Sequence, residues 1–132
     1  VGLTPDQIKD LPLGIVGLPR SETINDLVSL YSAADVFANP TYVDNFPTTN
    51  LEAQGCGTPV VTYNTGGCFE TISELSGKVV NKGDHAELGS AIIEILQKGK
   101  EKYSNSCRAH ALKSFDKSTR FQDYLDLYNS LL

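Results

Sequence analysis

Four short apolar, β-branched runs recur along the chain, and the spacing between them restricts the fold more than any other feature. They are Gly14 to Leu18, Asp35 to Ala38, Pro59 to Tyr63 and Lys78 to Val80. Each has the length of a buried strand. Every gap between them is long enough to hold a helix, as a crossover of about a dozen residues joining parallel strands must be. The alternation predicts a parallel sheet with helices on both faces.

Helical periodicity fills the gaps. Ile24, Leu27, Val28 and Tyr31 fall at i, i+3, i+4 and i+7, and Thr23 before them suits an N-cap. Leu88, Ala91, Ile92, Ile95 and Leu96 repeat the pattern, with Asp84 and Glu87 as a start signal like a capping box. After the last strand only helices are predicted: about 84 to 98, a second near 101 to 114, and a third from about 118 with Phe121, Leu125, Tyr128 and Leu132 along one face. The expected architecture is α/β and Rossmann-like. Residues 1–132 form a single domain in this reading, with 101–132 as a C-terminal helical cap.

Composition narrows the function. The chain has 132 residues, 11 basic and 16 acidic side chains and a net charge of -5. No Lys/Arg cluster is dense enough to neutralise a run of phosphates, which argues against nucleic acid as a partner. The apolar runs fall far short of the roughly 20 residues that span a bilayer. Cys56, Cys68 and Cys107 are odd in number and widely spaced, the pattern of free thiols in a reducing, cytoplasmic compartment. His85 and His110 have no neighbour at metal-ligand spacing, so no metal is expected, and both read as structural or surface groups. The chain opens Val-Gly-Leu-Thr-Pro-Asp, without a start Met or a signal-peptide pattern, and is expected to be a piece of a longer protein.

In open α/β sheets ligands bind beyond the carboxyl ends of the strands, which selects the loops at Gly17 to Arg20, Asn39 to Thr49 and Asn64 to Phe69. The second loop enters a helix at about Thr49. Free backbone N–H groups at Thr49, Asn50 and Leu51, with the Thr48 and Thr49 hydroxyls, would suit a phosphate or diphosphate. Gly66 and Gly67 would let a ligand approach the backbone, with a second helix start after them.

The run from Asp44 to Glu52, then Ala-Gln-Gly-Cys-Gly-Thr-Pro-Val-Val, then Gly66-Gly67-Cys-Phe-Glu70, resembles the signature of the "glycosyl transferases group 1" family. That pattern is E-x7-E, then E-A-x-x-x-G-T-P-V-V and G-G-x-x-E. Leu30 to Phe37, Gly77 and Gly83-Asp84 extend the likeness over nearly the whole chain. The resemblance implies the C-terminal, donor-binding part of a GT-B glycosyltransferase, missing its first elements. It implies a retaining transfer of a sugar from a UDP- or GDP-sugar, without metal or other cofactor.

Residue by residue, the resemblance assigns Glu52 to the donor ribose hydroxyls. Asp44 stands where the family has its first glutamate and would take the catalytic place beside the transferred sugar. Pro47 replaces a family glycine and has no N–H, so phosphate contacts fall to Thr48, Thr49 and Asn50. Gly66 and Gly67 would face the donor, and the backbone of Gly17 and Leu18 the nucleobase. The acceptor-binding N-terminal domain and the phosphate-binding Arg and Lys would lie upstream, as would any peripheral attachment to the inner face of a membrane. The isolated chain is then expected to be inactive. The Asp-Asn-Phe-Pro segment resembles members that build bacterial surface polysaccharides.

Simpler roles exist for the same residues. Thr49-x-x-Glu52 is also a capping box, Asp44 is also a turn former, Gly66-Gly67 is also a tight turn, and Glu70 complements a helix dipole. A non-catalytic nucleotide-binding domain, or an interaction module on the same fold, is the alternative class.

Overall fold

A computed structural model describes all residues, 1–132. Three strands form a parallel sheet in the order β1 (Phe37–Asn39), β2 (Val60–Tyr63), β3 (Gly77–Val80). Phe37 stands opposite Val60 and Asn39 opposite Thr62; Val60 stands opposite Gly77 and Tyr63 opposite Val80. This register brings the carboxyl ends of all three strands to one edge.

Six helices accompany the sheet: α1 (Pro5–Lys9), α2 (Ile24–Ala33), α3 (Thr48–Gly55), α4 (His85–Lys98), α5 (Glu101–Phe115) and α6 (Lys117–Ser130). Helix α1 starts at a capping box of Thr4 and Gln7 with Pro5 at its first position. Helix α2 starts the same way, Thr23 and Asp26 exchanging bonds. Asp84 caps α4 through the Glu87 N–H, but the Glu87 carboxylate accepts from the Asn81 N–H rather than closing a capping box on Asp84.

All four residues of β2 are buried, as expected for the central strand of a parallel sheet covered on both sides. The core joins Val61, Tyr63 and Val80 to Ala91 and Ile95 of α4 and to Tyr103 and Cys107 of α5. Burial pushes the Cys107 thiol up to about 12, so this cysteine is an inert packing group.

The expected strand at Gly14 to Leu18 does not form. A strand exists only by pairing, and this segment meets no ladder: Gly2 N–H donates to the Pro19 carbonyl and Leu3 N–H to the Leu18 carbonyl, and there the pairing stops. Leu13, Ile15 and Val16 are exposed in consequence. The helix start expected after Gly66-Gly67 is also smaller than anticipated, a single 3-10 turn at Phe69–Thr71.

The C-terminal helices differ from each other. Helix α5 packs against α3 and buries Tyr103 and Cys107. Helix α6 has no buried residue, and Phe121, Tyr124, Leu125 and Tyr128 stay more than half exposed. No helix is long and apolar enough to cross a membrane.

Candidate donor site

Helix α3 begins at the carboxyl edge of the sheet, one residue earlier than its threonines suggest. Pro47 is its N-cap and offers no side-chain bond. Pro47 contributes its carbonyl instead, which accepts from the Asn50 N–H at 3.1 Å. The N–H groups of Thr48 and Thr49 have no acceptor within the chain, and both residues are exposed. The unpaired donors and the positive end of the helix therefore face solvent at Thr48 and Thr49. Asn50 has no donor left to offer.

The Asn50 side chain is spent as well. It is fully buried: Oδ1 accepts from Asn39 Nδ2 at 2.9 Å, and Nδ2 donates to Thr71 Oγ1 at 2.9 Å. Thr71 Oγ1 donates in turn to the Cys68 carbonyl, and Gln54 Nε2 to the carbonyls of Thr71 and Asn50. The buried face of α3 is thus polar and bonded to distant parts of the chain, with Gln54 Oε1 alone left without a partner, and these bonds tie the end of β1, the start of α3 and the 3-10 turn into one unit. Asn50 holds these parts together rather than facing a ligand.

Glu52 is exposed and does not close a capping box with Thr49. Its Oε2 accepts from the Tyr31 hydroxyl at 3.1 Å, across to α2. Glu52 and Thr49 line a cleft of about 380 Å³ together with Arg20, Ser21, Leu27, Leu30, Tyr31 and Phe37, and with Val1 and Gly2. The cleft is apolar along most of its wall, with a carboxylate and a guanidinium at its rim, the composition of a small-molecule site. Gly17 and Leu18 are not among the residues that line it. The place of a Gly17 side chain is taken by Leu3, Ile8 and Leu11, and the Leu18 carbonyl is occupied by Leu3.

Asp44 lies in the neighbouring loop, half-buried, with Oδ1 accepting from the Phe46 N–H at 3.0 Å. This is the Asx turn anticipated for it; Oδ2 keeps its lone pairs free of chain partners. Gly66, at φ +48°, and Gly67 press against this loop: a side chain at Gly66 would overlap the Asp44 carbonyl oxygen, and one at Gly67 the Asn45 carbonyl oxygen. The Gly67 N–H donates to that Asn45 carbonyl at 2.8 Å. The glycine pair therefore admits the chain's own backbone, and so sets Asp44 beside the second loop. Phe46 completes the joint by packing edge-on against Phe115 of α5, at 5.8 Å between ring centres. Burial raises the Cys68 thiol, with the Asp44 charge adding to it, so Cys68 is no nucleophile. Glu70 is exposed in the 3-10 turn, too short a helix for a dipole role.

The structure thus brings Thr48, Thr49 and Glu52 together, and Asp44 with Gly66 and Gly67. Arg20, Ser21, Tyr31 and Phe37 escaped sequence reasoning. Arg20 lay in a loop already selected by the strand-end rule, whereas Tyr31 and Phe37 read as core residues of their own elements.

Known proteins share the sequence pattern and the fold. The glycosyl transferases group 1 family matches residues 16–113. A D-inositol 3-phosphate glycosyltransferase of Salinispora tropica is 32% identical over 131 residues, 97% of this chain and 25% of that protein. The N,N'-diacetylbacillosaminyl-diphospho-undecaprenol alpha-1,3-N-acetylgalactosaminyltransferase of Campylobacter jejuni is 32% identical over 112 residues, 82% of this chain and 29% of that protein. The solved structure of sucrose-phosphate synthase from Thermosynechococcus elongatus superposes with a TM-score of 0.71 at 31% identity, over 80% of this chain and 27% of that one. The chain spans about a quarter of the length of the relatives it matches. It belongs to the glycosyl transferases group 1 family and carries part of a Rossmann-like GT-B fold.

Proposed function

We propose that the chain is the C-terminal, donor-binding part of a retaining glycosyltransferase that takes a UDP- or GDP-sugar without metal. The observation that carries this reading is one helix start whose Thr49 and Glu52 line a cleft and whose Thr48 and Thr49 N–H groups are unpaired. Glu52 would accept from the ribose hydroxyls. The diphosphate would lie across the start of α3, where free donors and the helix dipole stabilise the charge that develops as the bond from sugar to phosphate breaks. Asp44 would stand beside the sugar and stabilise positive charge at the reacting carbon.

Two relatives are named for transfer to an inositol phosphate and to a lipid-linked sugar, which supports synthesis of a polysaccharide or glycoconjugate. The acceptor would be held by a further domain of the same protein, with any membrane attachment through that part; the three free thiols agree with a cytoplasmic site of action. The chain alone would bind donor weakly and transfer nothing.

Titration of the 15N-labelled chain with UDP, GDP and their sugars tests the reading. Shifts are expected at Thr48, Thr49 and Glu52 and at Gly66 and Gly67. Their absence with every nucleotide at millimolar concentration overturns it.

A further inference from the structure

Glu52 is exposed on a helix surface, and a glutamate in that position ordinarily samples many rotamers. Here one of its oxygens is fixed. Tyr31 reaches it from α2, 21 residues earlier in the chain, and the two side chains line the same cleft. The tyrosine is itself held on several sides. Its ring packs edge-on against Phe37 of β1, with centres 5.4 Å apart. Its carbonyl accepts from Thr58 Oγ1 at 2.5 Å, in the loop between α3 and β2. One and three residues on, the carbonyls of Ser32 and Ala34 accept from Lys100 Nζ at 2.6 Å and 2.7 Å, pinning the end of α2 to the start of α5.

We propose that Tyr31 is a positioning residue for the donor nucleotide, holding Glu52 Oε2 from α2 so that the carboxylate meets the two ribose hydroxyls in a fixed orientation. This rests on the ribose role of Glu52 proposed above. Each carboxylate oxygen has two acceptor sites, so Oε2 can take the phenol and one ribose hydroxyl while Oε1, unbonded within the chain, takes the other. The bond is long at 3.1 Å, but its acceptor is charged, which strengthens it relative to a neutral pair at the same distance. Burial, then the Glu52 charge and hydrogen bond, push the Tyr31 hydroxyl up to about 12, so it remains a donor at every pH where a sugar nucleotide is used.

The test compares UDP and GDP with their 2′,3′-dideoxy counterparts on the unaltered chain, on Tyr31→Phe, on Glu52→Ala and on the double variant. Tyr31→Phe keeps the ring against Phe37 and the carbonyl bond to Thr58, so its fold is retained. It is expected to weaken the ribonucleotide about three- to tenfold, to leave the dideoxynucleotide unchanged, and to add nothing once Glu52 is alanine. An equal loss for both nucleotides shows a general structural role, and no loss shows no role; either overturns the proposal while Glu52→Ala still removes ribose discrimination. If Glu52→Ala also leaves that discrimination intact, or the unaltered chain binds no nucleotide, the ribose reading of Glu52 falls and the Tyr31 role with it.

Discussion

Asn50 and Glu52 lie two positions apart on α3, one fully buried and one exposed, and this difference in burial separates the structural residue from the proposed ligand contact. Both are polar, so their types alone do not separate the roles. What separates them is the company each finds: Asn39 and Thr71 for Asn50, Tyr31 and an open cleft for Glu52. Asn50→Ala is therefore expected to act on stability. It strands the Asn39 amide and takes a donor from Thr71 Oγ1, which keeps its own bond to the Cys68 carbonyl, and urea unfolding should show a loss of about 1–3 kcal/mol with an unchanged slope.

At the scale of elements, what α3 can offer a ligand follows from how it begins. A proline N-cap without a side-chain bond leaves two donors open that a serine or aspartate cap would have partly closed. Thr48 occupies the first helical position, where proline is tolerated and the preceding Pro47, at ψ 104°, already has the extended backbone that a following proline needs. Thr48→Pro should leave the unfolding midpoint nearly unchanged but remove one N–H from the proposed diphosphate contact. Its affinity for UDP or GDP is expected to fall about three- to tenfold while that for the uncharged nucleoside stays the same, as calorimetry or an NMR titration would show.

Over the whole molecule, one half-buried phenol and one buried thiol tie stability to alkaline pH. The Tyr31 hydroxyl and the Cys107 thiol both rise to about 12, burial being the largest cause in each. The folded chain holds these protons more tightly than the unfolded chain, so their contribution is complete below about pH 9 and is lost as pH climbs towards 12. The thermal midpoint measured from pH 8 to 12 should fall through that window, and Cys107→Ala should flatten the part that begins near 9.

Much of this fold was legible because β2, β3, α2 and α4 write their periodicity locally. The strand expected at Gly14 to Leu18 was not, since apolar content cannot report whether a partner strand lies alongside. The start of α1 was overlooked although Thr4, Pro5 and Gln7 spell a helix start in three neighbouring residues. Within the site, Glu52 and Asp44 stood out through motif spacing. The bond from Tyr31 to Glu52 and the buried role of Asn50 depend on residues far away in the chain, which no local pattern encodes.

The glycine-to-loop contact has a consequence for motion. Because the Gly67 amide is bonded to the Asn45 carbonyl, its proton can exchange with solvent only when the Asp44 loop and the Gly66-Gly67 turn part from one another. That one amide is a clock for the parting of these two loops, and a ligand bridging them would slow it.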